Sequence, residues 1–167
     1  MITRRSIRGF KPDVPPQDLI DEIIKAGTYA PSGRGAQATK IVCITRKDVR
    51  DRLSAMNAEI MGAPKVDPFY GAPVVLLVLA DRSRSTYLYD GSLVMGNLLN
   101  AVHAVGLGGI WIHRAKEEFD SPEGKALLKE WGIEGDYEGI GHCVLGYPSQ
   151  APAAAAPRKA DFVTYVK

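Results

Sequence analysis

The sequence predicts a single domain over residues 1–167, built on a central sheet with helices on both faces. Three observations point there. Pro73-Val74-Val75-Leu76-Leu77-Val78-Leu79 is an unbroken apolar run of strand length, which suits the middle of a sheet covered on each side. Stretches with apolar residues at helical spacing stand between further strand-like runs. The chain has 167 residues and no internal repeat, a length typical of one domain that buries roughly two thirds of its unfolded surface.

The elements follow in order. Pro12, Pro15 and Pro16 stiffen the lead-in to a first helix, with Pro16 suited to its first turn and Asp18, Asp21 and Glu22 near its positive end. Leu19, Ile20, Ile23 and Ile24 give that helix an apolar face, and Gly27 stands near its end. Tyr29 to Thr39 carries the Pro, Ser and Gly of a shaped loop. Lys40 to Thr45 reads as a buried strand, Asp48 to Met61 as a helix, and Gly62 to Gly71 as a loop. Asp90 to Leu107 reads as the longest helix. It is apolar nearly all round, with Asn97, Asn100 and His103 as the main exceptions. Such a helix needs cover on every side, and a chain of this size offers little room for that, so a dimer is expected. Gly106, Gly108 and Gly109 lead into the short strand Ile110-Trp111-Ile112, with His113-Arg114 at its end. Ser121-Pro122 opens another helix, with Ser as cap and Pro in the first turn. Gly139 to Pro148 gives a last core strand and turn. Ala151 to Pro157 reads as an extended arm, and Phe162 to Val166 has strand composition.

Composition excludes several classes. Twenty-one basic against 19 acidic residues leave a net charge of +2, far from the basic face of a nucleic-acid binder. No apolar run approaches the roughly 18 residues of a membrane span, and no apolar segment follows the first arginines as in a secretory signal. Cys43 and Cys143 each sit in an apolar run and read as core thiols of a reducing compartment, so a cytoplasmic location is expected. His103, His113 and His142 make no ligand set of close spacing, and no metal site is expected.

Arg4-Arg5-Ser6-Ile7-Arg8 puts three guanidiniums and a hydroxyl within five residues. Arg4 and Arg8 fall on one side in either a helix or a strand. Guanidiniums offer paired donors that match phosphate or carboxylate oxygens. By itself the segment is either an anion clamp or a solvated, frayed terminus.

Five motifs in order resemble the nitroreductase family of flavoproteins. They are Arg4-Arg5-Ser6-Ile7-Arg8-x-Phe10; Ala30-Pro31-Ser32 followed by Gln37; Ala72-Pro73-Val74-Val75; Asp90 with Asn97-Leu98 and Gly106-Leu107-Gly108; and Leu145-Gly146-Tyr147-Pro148 with Pro157-Arg158-Lys159. The resemblance covers nearly the whole chain. It implies an α+β fold with a central mixed sheet flanked by helices, and an intertwined homodimer with a C-terminal arm and FMN at its interface. Arg4, Arg5, Ser6 and Arg8 match the family's phosphate-binding segment, and Arg158, with Lys159 beside it, matches the basic residue from the C-terminal segment. Pro31, Ser32, Gly33, Gly35 and Gln37 match the loop that reaches the flavin from the partner subunit, where a Gln amide suits the pyrimidine edge. His113 and Arg114 match the segment along the isoalloxazine ring, where a cation raises the flavin potential.

The sequence departs from the family pattern at four points. Gly35 replaces a common Asn, Ala38-Thr39 replaces Pro-Trp, only three residues precede Arg4, and the helices that cover the active site in longer members are missing. The expected activity is hydride transfer from NAD(P)H through flavin N5 to a nitroaromatic, quinone or similar small electrophilic acceptor, in ping-pong order. The alternative is a flavin-binding redox sensor or electron carrier without NAD(P)H turnover. No residue is assigned as a catalytic acid or base, because the flavin carries the chemistry.

Overall fold

The computed structural model describes residues 1–167. Its elements are α1 (Gln17–Thr28), β1 (Thr39–Ile44), α2 (Lys47–Ile60), β2 (Val74–Asp81), α3 (Tyr87–Ala104), β3 (Gly108–Ile112), α4 (Ala115–Asp120), α5 (Pro122–Glu130) and β4 (Tyr137–Gly146). One 3-10 turn, Gly33–Gly35, sits in the loop after α1. The four strands form one sheet in the order β1-β2-β4-β3. The combination of sheet and flanking helices is the expected α+β arrangement.

Strand β2 lies between β1 and β4, and every residue from Val74 to Ala80 is fully buried. Side chains alternate across a sheet, so β2 serves two cores. Val75, Leu77 and Leu79 join Leu53 and Met56 of α2, Phe119 of α4 and Leu127 of α5. Val74, Leu76, Val78 and Ala80 join Ile20 and Ile23 of α1 and Met95 and Leu98 of α3. The mixed sheet expected from the family resemblance is refined: all three strand pairings are antiparallel, and parallel pairing is limited to a bridge between Ser6 and Gly109. The apolar run of β2 reports cover on both faces, and helices provide that cover regardless of strand direction.

Other differences have local causes. Lys40 to Thr45 was expected to be buried, but β1 is an edge strand and Cys43 is exposed there, while Cys143 is buried in β4. A strand at the edge has only one neighbour, so apolar composition does not guarantee burial. The short helix α4, not anticipated from the sequence, turns the chain between Arg114 and the Ser121 cap. The Ser121 hydroxyl accepts the Gly124 N–H at 3.0 Å. Helix α3 is not covered all round, since Leu88, Tyr89 and Leu93 are 46%, 73% and 47% exposed. Residues 163–166 make no strand within the chain, because strand composition needs a partner edge to satisfy the backbone. No helix is long and apolar enough to cross a membrane.

Gly124 separates local propensity from packing. Helix propensity favours Ala over Gly by about 1 kcal/mol. A Cβ at Gly124, however, would lie 2.0 Å from the Glu118 carbonyl oxygen and 2.6 Å from Phe119 Cα. Gly124→Ala is therefore expected to lower stability by about 1–3 kcal/mol in urea unfolding; a gain in stability would contradict this account of the α4–α5 contact.

Candidate functional site

Ile7 fixes the arginine segment to the body. It is buried against Gly108, where a Cβ would stand 2.8 Å from Ile7 Cγ1. The Ile7 N–H donates to the Gly109 carbonyl at 3.2 Å, the Lys11 N–H to the Tyr147 carbonyl at 2.8 Å, and the Ser149 N–H to the Gly9 carbonyl at 3.0 Å. Thr3 Oγ1 meets His103 Nε2 of α3 at 2.8 Å. The segment thus belongs to the ordered end of the sheet, which removes the frayed-terminus alternative. Arg5 folds back, its Nη1 donating to the Ile2 and Arg4 carbonyls at 2.9 and 2.7 Å, while its buried Nε has no partner. Arg8 is exposed, and Arg4 and Ser6 are half-buried.

The chain's ion pairs use Arg46, Lys47, Arg50, Arg52, Arg82, Lys116 and His142 as the basic partners. Arg4, Arg5, Arg8 and Arg114 have no carboxylate partner. Arg4, Arg5 and Arg8 flank the Ser6–Gly109 bridge and Arg114 lies just past the Ile112 end of β3, around three clefts. One of about 220 Å³ includes Arg4, Arg5 and His103. A second of about 430 Å³ lies between Arg5–Arg8 and Gln150–Ala154. The third, of about 230 Å³, is lined by Arg8, Met61, Tyr70, Trp111, His113 and Arg114, among others. The fold therefore brings Arg8 of the arginine segment and the His113–Arg114 pair to one cavity.

Arg114 caps the start of α4 in a left-handed conformation, φ 76°. Its Nε donates to Asn57 Oδ1 at 3.0 Å, and the His113 carbonyl accepts from Asn57 Nδ2 at 2.8 Å. His113 itself is exposed. The loop opposite, Met61 to Gly71, is held by Asp67. This carboxylate accepts from Ser54 Oγ at 2.6 Å, the Phe69 N–H at 2.9 Å, the Gly71 N–H at 2.7 Å and the Arg50 guanidinium. The sequence showed only a loop there. The Asp67-Pro68 pair and the Asp67 bond to the N–H two residues on are the turn chemistry that could have located the anchor.

The loop Pro31–Gln37 lies elsewhere. Its Gly33 N–H donates to Asp90 Oδ1 at 3.0 Å, and the Asp81 N–H donates to the Ala38 carbonyl at 2.9 Å. Asp90 is 3% exposed and also accepts from Thr86 Oγ1 at 2.9 Å. A Cβ at Gly33 would meet Thr86 Oγ1 at 2.4 Å. Ser32 Oγ accepts the Gln37 N–H at 3.0 Å, whereas Pro31, Gly35 and the Gln37 side chain are exposed. The loop stands at the Asp81 end of β2 and the arginines at the Val74 end, roughly 25 Å apart at ~3.3 Å per residue. Within one chain the two do not meet. Arg158 and Lys159 are exposed in the arm and line none of the three clefts.

The ionisation of Asp67 gives the loop a pH dependence. Burial alone would raise its pKa, but the bonds from Arg50, Ser54 and the Gly71 N–H outweigh burial and hold it below the usual carboxylate range. A depressed folded-state pKa means stability that is present above the unfolded value of about 3.9 and is lost as pH falls through the folded value. Asp67→Asn is therefore expected to flatten the fall of stability with pH below about 4. Urea midpoints across that range check it; an unchanged slope would contradict the assignment.

A Methanothermobacter thermautotrophicus protein provisionally named NADH dehydrogenase/NAD(P)H nitroreductase is 28% identical over 159 residues, covering 90% of this chain and 76% of that one. An FMN-bound nitroreductase structure from Bacteroides fragilis matches with a TM-score of 0.91 at 23% identity, covering 99% of this chain and 96% of that one. A second FMN-bound nitroreductase, from Desulfitobacterium hafniense, matches with a TM-score of 0.88 at 23% identity over the same shares. The Nitroreductase family profile spans residues 1–147, which takes in the arginine segment, the Asp90-anchored loop and the Arg114 cavity: the chain belongs to the nitroreductase family.

Proposed function

We propose that this chain is an FMN-dependent NAD(P)H oxidoreductase whose site is completed between two copies of the chain. The observation that carries this reading is the group of arginines without carboxylate partners at one end of the sheet, with the buried, unpartnered Arg5 Nε among them. A dianion such as a phosphate monoester fits that donor set. Arg4, Ser6 and Arg8 would hold the FMN phosphate, and Arg158 and Lys159 would approach it from the arm. His113 and Arg114 would face the ring system from the cavity they share with Arg8.

When bound, FMN supplies hydride acceptance from a nicotinamide and delivery to a conjugated acceptor such as a nitroaromatic or a quinone. The residues bind and orient. Trp111 and Tyr70 supply flat apolar walls, and Arg114 presents a fixed positive charge. Donor and acceptor would use one cavity in turn, giving ping-pong kinetics. The homodimer draws support from three features. The Pro31–Gln37 loop and the arginines lie at opposite ends of the sheet, so only a second copy could bring them together. Leu88, Tyr89 and Leu93 of α3 are exposed, as are Phe162, Val163, Tyr165 and Val166 of the arm.

The purified protein is expected to be a dimer that binds one FMN per chain. Arg8→Ala is expected to weaken FMN binding by about tenfold or more, since a charge-assisted bond contributes about 1.5–3 kcal/mol. Fluorescence titration measures that, and wild-type affinity in the variant would remove Arg8 from the phosphate site. Anaerobic titration with NADH and with NADPH tests the activity. Bleaching of the bound flavin by either supports the reductase; bleaching by neither overturns it.

A further inference from the structure

Asn57, Glu118 and His142 come from α2, α4 and β4, and each is fully buried. None lines the cavity that Arg114 lines. A carboxylate in the core costs several kcal/mol unless it is well satisfied, and apolar residues of the same volume often serve stability as well or better. Stability alone is therefore a poor account of the cluster. Its bonds run in one direction instead. One Glu118 oxygen accepts from Asn57 Nδ2, and the other stands 3.1 Å from His142 Nε2 without the alignment of a hydrogen bond. Phe69 and Phe119 flank the His142 ring at 5.1 and 6.4 Å. The remaining capacity of the Asn57 amide goes to adjacent residues, the His113 carbonyl at 2.8 Å and Arg114 Nε at 3.0 Å.

Arg114 needs such support. Its φ of 76° is a left-handed conformation that costs a residue with a Cβ roughly 1–2 kcal/mol. Such strain persists only where the surroundings fix it. The Glu118 N–H donates to the Arg114 carbonyl at 3.0 Å, so Glu118 restrains Arg114 through its backbone and, by way of Asn57, through its side chain. From this geometry we propose that Asn57, Glu118 and His142 are a positioning set for Arg114. They hold its guanidinium at one place in the cavity, and so core residues that touch no ligand set the charge presented to bound FMN. The proposal rests on the reading of that cavity as the flavin site.

Two measurements test it, one of them without flavin. In the FMN-free protein, the Arg114 Nε–H is expected to give an NMR signal protected from solvent exchange, identified by its loss in Arg114→Ala. Glu118→Gln keeps the volume and a carbonyl acceptor for Asn57, and is expected to retain that signal. Asn57→Leu removes all three bonds and is expected to lose it. If Asn57→Leu is too unstable to label, Asn57→Ser, too short to reach its partners, is measured instead. A protected signal in either Asn57 variant overturns the positioning set. In the FMN-bound protein, Arg114→Ala is expected to weaken binding of reduced relative to oxidised FMN by about tenfold, the scale of one charge-assisted contact. Asn57→Leu is expected to give most of that change, and the double variant no more than Arg114→Ala alone. A changed ratio in Arg114→Ala with a wild-type ratio in Asn57→Leu, or additive effects, overturns the positioning set alone. An unchanged ratio in Arg114→Ala instead removes Arg114 from the flavin site, which is a failure of the underlying reading.

Discussion

The pairing of β2 with β4 is the constraint on which the molecule depends. Eight residues of β2, Val74 to Asp81, pair with β4 between Leu145 and Tyr137, with one irregularity after Val78. Both strands are buried along nearly their whole length. Every backbone polar group in such a pair must find its partner within the sheet. Burial on both faces also fixes register, since a slip of one residue would send each side chain to the opposite core. The two helical layers then have fixed surfaces to cover. α1 and α3 pack on the face of Leu76 and Val78, and α2, α4 and α5 on the face of Leu77 and Leu79.

That pair also decides where charge can gather. Because β4 is the last strand in the chain and lies inside the sheet, its end meets the start of β3 and the N-terminal segment at one place. Gly108 and Gly146 leave room for Ile7, Phe10 and the prolines at that end. The arginines on either side of Ile7 are therefore held at a sheet end where none of them has a carboxylate partner. Concentrated positive charge of this kind is costly until an anion shares the site.

Three carboxylates, Asp90 and Glu118 buried and Asp67 half-buried, shape the loops around the cavity and at the far end of the sheet. Asp67 ties down Met61 to Gly71, Asp90 ties the Pro31–Gln37 loop to the first turn of α3, and Glu118 stands behind Arg114. Asp67 and Asp90 each accept hydrogen bonds from more than one segment of chain, and Glu118 accepts from Asn57. Loops held in this way keep positive-φ residues such as Arg34, Gln37, Tyr70 and Arg114 in place although local energetics disfavour those conformations.

Much of this was legible in the residues. The apolar run of β2, the helical spacing in α1 and α3, and the Ser121 cap specify their elements because periodicity and capping are local properties. The arginine segment stood out as a candidate anion site because its donor chemistry needs no knowledge of the fold, whereas His113 and Arg114 were singled out by the resemblance to the family. Composition could not distinguish an edge from a centre, so Cys43 was expected to be buried and is exposed. Strand direction was likewise not legible, because an apolar run records cover on both faces and not the sense of its neighbours. Only the tertiary structure separated the Pro31–Gln37 loop from the arginines by the length of β2, and only it joined Asn57, Glu118 and His142, 85 positions apart at the extremes, into one cluster behind Arg114. Both results depend on which strands lie side by side, and that is decided by the packing of the whole chain.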